Sequence, residues 1–310
     1  MTFAILSHPD CLSHVTPPGH PERAARLEAV NAILDGDAFA AAQRVEAPLV
    51  DDAALLRAHP RSYLDYIAGS SPADGFRSLD ADTHMSPGTL QAARRAAGAN
   101  VKAVDMVMGG EAKIAFCATR PPGHHAEKAT PMGFCFFANA AVAALHAIEA
   151  HGAERAAIVD FDVHHGNGSQ DVFWDDPRVL VATSQQSPLW PGTGMEHETG
   201  AGNIFNATLA PGSGGAAFRK AWEERLLPAV AAHDPDLIII SAGFDAHTRD
   251  PLAELNLLDE DFVWITEKIC DLAEAHCGGR VVSTLEGGYD LDGLASATAA
   301  HCKVLMERAG

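Results

Sequence analysis

The stretch Ala156-Ala157-Ile158-Val159-Asp160-Phe161-Asp162-Val163-His164-His165-Gly166-Asn167-Gly168 decides how the rest of this 310-residue chain is read. Its first half, Ala156 to Phe161, is short, apolar and β-branched, the pattern of a buried strand bounded by glycine. Asp160, Asp162 and His164 alternate, so while the strand persists they share one face, away from Phe161 and Val163. Two carboxylates and an imidazole on one face call for a cation. Asp245, after the apolar run Leu237 to Ile240, completes an Asp/His/Asp set, and three protein ligands with one position open is the pattern of catalytic zinc. A lone aspartate after a strand is more often a helix cap. Here the whole constellation favours a metal.

Similar runs recur at Phe3 to Leu6, Lys113 to Cys117, Val179 to Ala182, Ile204 to Leu209, Leu237 to Ser241 and Val281 to Leu285. Between them lie Ala-rich helical stretches, including Arg23 to Leu34, Pro87 to Met108, Ala138 to Ala150, Ala216 to His233 and Asp259 to Ala275. This alternation predicts an α/β fold, a three-layer sandwich with a mainly parallel central sheet. Residues Gly69 to Ser86, rich in Ser, Asp and Gly, read as a surface loop, and no repeat or linker divides the chain. One domain over residues 1–310 is expected.

Four of the strand candidates run into reactive side chains at their carboxyl ends, the edge at which open α/β sheets bind ligands. After Lys113 to Cys117 comes Pro121-Pro122-Gly123-His124-His125, whose rigid turn offers two adjacent proton carriers. After Val281 to Leu285 comes Glu286-Gly287-Gly288-Tyr289-Asp290. The glycines allow a sharp turn that leaves the Tyr289 phenol able to donate to a developing oxyanion.

Lys and Arg number 22 against 41 Asp and Glu, a net charge of −19 that speaks against direct nucleic-acid binding and attracts cationic substrates. No apolar run approaches the roughly 18 residues of a membrane span. The start of the chain lacks the basic leader and apolar core of a secretory signal, so a cytoplasmic address is expected. The six cysteines are scattered without a Cys-x-x-Cys pair, unlike a disulfide framework or thiolate zinc site.

Together these motifs resemble the histone deacetylase superfamily, in its class II-like and bacterial branches, within the arginase/deacetylase fold. The resemblance spans nearly the whole chain. Gly19-His20-Pro21-Glu22-Arg23 with Arg26, Gly133-Phe134-Cys135 and Pro191-Gly192-Thr193-Gly194 join the motifs quoted above, in order. It implies one zinc ion per chain, held by Asp162, His164 and Asp245. It also implies catalytic histidines His124 and His125, oriented by Asp160 and Asn167, and Tyr289 polarising the scissile carbonyl. Gly133 and Phe134 then belong to the substrate tunnel. Potassium near the active site is implied at Asp160, Asp162, His164 and Thr183, with a more distant potassium at the backbone of Phe173 and Val179.

There are departures from the family pattern. Trp190 precedes Pro-Gly-Thr-Gly where relatives carry Tyr or Phe, Gln185 stands where His is frequent, and Ala138 where Asn is. Leu257 is expected at the tunnel rim, at a position that is Glu in the polyamine-deacetylase branch. The expected activity is hydrolysis of the amide of an acyl-lysine or related acylated amine. Acetylpolyamines or other small amides are the alternative, a binuclear manganese ureohydrolase and a non-catalytic acyl-ligand binder the remoter ones. The sequence leaves a homo-oligomer open.

Overall fold

The computed structural model describes residues 2–310. Its ten strands are β1 (Phe3–Ser7), β2 (Gln43–Glu46), β3 (Arg77–Ser78), β4 (His84–Met85), β5 (Ile114–Cys117), β6 (Ala156–Asp160), β7 (Val179–Gln186), β8 (Ile204–Leu209), β9 (Leu237–Ala242) and β10 (Val281–Leu285). The helices are α1 (Ala24–Leu34), α2 (Asp52–Leu55), α3 (Arg61–Ser70), α4 (Thr89–Met108), α5 (Asn139–His151), α6 (Asn167–Phe173), α7 (Gly215–Ala221), α8 (Leu227–His233), α9 (Asp259–Cys277) and α10 (Leu291–Ala309).

Eight strands form one sheet in the order β2-β1-β5-β10-β9-β6-β7-β8. Every neighbouring pair in it is parallel. The period of two distributes side chains to two cores. Ala4, Leu6, Ile158, Leu237 and Ile239 pack under α2 to α5, while Phe3, Ile5, Val159, Ile238 and Ile240 pack under α1 and α7 to α10. The result is the expected three-layer sandwich.

The differences from the sequence reading have local causes. β7 runs to Gln186, beyond Ala182, because its polar end is buried and satisfied from the side: Trp222 Nε1 donates to Ser184 at 3.0 Å, and Glu254 N donates to Gln186 at 2.8 Å. β2 is an edge strand of alternating burial without an apolar run. The helix read over Ala216 to His233 is α7 and α8 joined by a wide π turn at Trp222–Leu226. Pro228, at the start of α8, has no N–H to donate backwards, which accounts for the widened turn. The Gly69 to Ser86 loop contains the small antiparallel pair β3–β4.

Candidate metal centre and active site

β5, β10, β9 and β6 lie side by side in the middle of the sheet, so the four reactive loops leave the same edge at adjacent points. That is how Asp162, His164 and Asp245 meet, with a set of ligand atoms within 4.8 Å of one another. His164 Nδ1 lies 3.2 Å from Asp162 Oδ1 and 3.1 Å from Asp245 Oδ2. Backbone amides aim the carboxylates. Asp162 accepts from His164 N and Gly287 N, both at 2.9 Å, and Asp245 Oδ1 accepts from Val163 N at 2.8 Å, leaving Oδ2 turned to the imidazole. Gly243 and Gly287 are required by this close approach: a Cβ on Gly243 would meet Asp162 Oδ2 at 2.0 Å, and one on Gly287 would meet Asp245 Oδ2 at 2.1 Å.

The electrostatics show a site built for positive charge. Burial opposes the imidazolium of His164, yet Asp162 and Asp245 push it up to about 10. Burial also works against the Asp162 carboxylate, but His124 and His164 hold it below the usual range. Asp245, buried beside Asp162, is pushed up to about 7. Two carboxylates and one imidazole, buried and closely cradled, fit a divalent ion of zinc's preference with a coordination position to spare.

The adjacent histidines are held differently. His124 Nδ1 pairs with Asp160 Oδ2 at 3.0 Å, and its Nε2 lies 3.7 Å from Asp162 Oδ2. Burial is outweighed there by Asp162 and Asp160, which hold His124 well above its ordinary value. His125 Nδ1 meets the carbonyl of Asn167 at 2.8 Å. The Asn167 amide nitrogen is committed to Glu127 at 2.9 Å and the sulfur of Met132 at 3.2 Å, so its oxygen must face His125. His125 therefore carries its proton on Nδ1 and presents a lone pair on Nε2. Burial, with His124 and His164 nearby, keeps this ring well below its ordinary value, that is, neutral.

A pocket of about 210 Å³ opens onto these groups, walled by His125, Gly133, Phe134, His164, Trp190 and Tyr289. Gly133 has φ 56°, and a Cβ there would meet the rings of His125 and Trp190 at 2.5 and 2.6 Å. Burial and Asp245 push Tyr289 well above its ordinary value, so its phenol stays a donor. Arg26 stacks over the Tyr289 ring at 4.9 Å and donates to the Glu286 carbonyl.

Several residues fall elsewhere than expected. Leu257 is fully buried in the core, its N–H bonded to Ala246 O at 3.1 Å. The apolar rim residue is Leu252, directly after Asp250-Pro251. His247, two residues beyond Asp245, lies 3.5 Å from Asp259 and stacks on Phe262. Thr183 is paired in register with Asp160, and the carbonyls of Phe173 and Val179, expected at a more distant site, both accept from the Asn203 amide.

Asp82, Leu189, Asp250 and Glu286 were not singled out from sequence. Asp82 and Leu189 line the pocket, Asp250 accepts from Tyr289 N at 2.7 Å, and buried Glu286 accepts from Gly123 N at 2.7 Å. Only the Asp250-Pro251 pair and the acid just after β10 hinted at the last two.

A second grouping, Asp105, His146 and His151, sits toward the C-terminal ends of α4 and α5. Arg57 Nη1 donates to His146 Nδ1 at 2.7 Å, which leaves that ring's hydrogen on Nε2, facing Asp105 at 2.7 Å. It is a hydrogen-bonded triad.

The family model described as the histone deacetylase domain matches residues 20–305. The chain belongs to the histone deacetylase family. Among relatives of this deacetylase-family chain, the histone deacetylase-like amidohydrolase of Pseudomonas aeruginosa is 40% identical over 284 residues, covering 89% of this chain and 74% of that protein. The probable deacetylase of Archaeoglobus fulgidus is 35% identical over 303 residues, covering 94% of this chain and 83% of that one. The crystal structure of the HDA15 HD domain superposes with a TM-score of 0.94 at 33% identity, over 99% of this chain and 89% of that one. Among the described residues no helix is long and apolar enough to cross a membrane.

Proposed function

We propose that this deacetylase-family chain is a zinc-dependent amidohydrolase that cleaves an acyl group from an acylated lysine or related acylated amine. The observation that carries the reading is the pair of adjacent histidines, His124 held by the Asp160 carboxylate and His125 by the Asn167 amide oxygen, beside the Asp162, His164 and Asp245 cluster. Zinc held there supplies Lewis acidity to an acyl carbonyl and acidifies water. His125, with its free Nε2 lone pair, takes the proton of the attacking water and returns it to the departing amine. His124, held cationic by Asp160 and Asp162, steadies the negative charge that develops nearby. Tyr289 donates its phenolic hydrogen to the tetrahedral oxyanion, and the narrow slot beside Gly133 aligns an unbranched acylated arm. Acetate, or a longer carboxylate, and a free amine leave.

The family's amide chemistry and the names of the two microbial relatives support this reading. Leu252 at the rim, where an acid would favour polyamines, supports an acyl-lysine or an uncharged acyl-amine over an acetylpolyamine. The test is a turnover panel of acetyl-lysine peptides, acetylpolyamines and longer acyl-lysines, with metal content measured on the same sample. Hydrolysis of acyl-lysine peptides with one zinc per chain is expected. Failure of every amide in the zinc-loaded protein would overturn the reading.

A further inference from the structure

The distant potassium expected at the backbone of Phe173 and Val179 meets a side chain of the protein itself. Phe173 ends α6, Val179 begins β7, and Asp176 lies in the turn between them. The carbonyl oxygens of all three converge on one atom, the Asn203 amide nitrogen, at 2.9 Å from Phe173, 3.1 Å from Asp176 and 2.7 Å from Val179. Asn203 is buried at 4% exposure, just before β8.

The orientation of the amide is determined by its surroundings. Asn203 Oδ1 accepts from Ala201 N at 3.1 Å, which turns the NH₂ group toward the carbonyls. The reverse orientation would set an oxygen against three carbonyl oxygens, with no hydrogen between them. The Asn203 carbonyl also accepts from Val181 N at 2.9 Å, so this residue ties β8 to the α6–β7 turn through main chain and side chain together. The Asp176 carboxylate, the nearby group that could have served a cation, is turned away to Arg178 at 2.6 Å. Two of the carbonyls have a second backbone donor: Asp176 N to Phe173 O at 3.2 Å and Val179 N to Asp176 O at 3.4 Å. The oxygens are thus served by neutral hydrogen-bond donors, with no remaining need for a cation.

We propose that the Asn203 carboxamide stands in place of a distal potassium ion, so that this chain locks its α6–β7 turn without a monovalent cation. The lock is independent of the reaction at the zinc site. Its test is anomalous diffraction from crystals of the intact protein soaked in rubidium or thallium(I) salts. No peak is expected among the carbonyls of Phe173, Asp176 and Val179, and a peak coordinated by them overturns the proposal.

Substitution gives a second reading. Asn203→Ala, and Asn203→Asp as the variant that keeps the size, uncover the carbonyls or face them with a carboxylate. Each is expected to melt several degrees lower in tetramethylammonium chloride than in potassium chloride at equal ionic strength. This potassium benefit should exceed any shown by the wild type. An equal potassium benefit in wild type and in every variant that folds contradicts the proposal. Should neither variant fold, the diffraction result on the wild type decides alone.

Discussion

At the scale of single residues, the division of labour proposed for His124 and His125 rests on one atom in each partner. Asp160 offers a carboxylate oxygen, Asn167 an amide oxygen, and the two rings lie 3.8 Å apart. Asn167→Asp replaces the neutral acceptor with an anion, which favours the protonated form of His125. The base is competent only when neutral, so the acid limb of the kcat/KM profile is predicted to move up by about one pH unit. An unmoved limb in a folded, zinc-loaded variant would contradict the assignment of His125 as base. Tyr289→Phe removes only the donor hydroxyl. It is predicted to lower kcat roughly 100- to 1000-fold, the usual range for an oxyanion donor, with little change in KM. An unchanged kcat would remove Tyr289 from the mechanism. Both substitutions leave the Arg26, Asp250 and Glu286 supports in place.

At the scale of elements, what was legible in the sequence was what local pattern controls. The apolar runs placed β1, β5, β6, β8, β9 and β10 within a residue or so, because all but the edge strand β8 are buried on both faces over nearly their whole length. The end of β7 was not legible, since Thr183 to Gln186 are polar and only tertiary partners make them a buried strand. Leu257 was misplaced for a related reason. Distance along the chain from Asp250-Pro251 does not reveal that the segment doubles back to form a parallel bridge between His247 and Leu257. The start of α9 shows a device that is local. Asp261 Oδ2 accepts from Leu258 N at 3.0 Å and Oδ1 from Arg219 at 2.8 Å. Asp261→Ala is predicted to lower stability by roughly 1 kcal/mol, read as a reduced urea midpoint at constant m. An unchanged midpoint would show that the cap contributes nothing.

At the scale of the molecule, the parallel sheet supplies convergence. No spacing in the sequence states that β5, β10, β9 and β6 are neighbours, yet that order brings the loops carrying His124, Tyr289, Asp245 and Asp162 together at one edge of the sheet. The strand-end motifs suggested the convergence and the family resemblance the roles, and the strand order gives the physical cause. Burying so many histidines makes stability depend on acid. His59 and His301 are buried and neutral, pushed down to about 4 and about 3 by burial. Their ordinary value in an unfolded chain is about 6.5. Between these limits the unfolded chain binds more protons, so their contribution is present above pH 6.5 and is lost as pH falls toward 4. Denaturant titrations should show stability declining through this window. His59→Gln should flatten the slope by about 1.4 kcal/mol per pH unit, one proton's worth. The same slope in wild type and variant would contradict a neutral buried His59.

In the proposed mechanism Asp162, His164 and Asp245 hold the one metal ion on which amide hydrolysis depends. The most direct measurement is zinc content and acyl-lysine peptide turnover, on the same samples, for the wild type and Asp245→Ala. One zinc per wild-type chain is predicted, with both zinc and turnover lost in the variant while its circular dichroism is unchanged. A folded Asp245→Ala protein that hydrolyses the peptide at the wild-type rate, or a wild type fully active after its zinc is stripped, would contradict a metal-dependent site at these three residues.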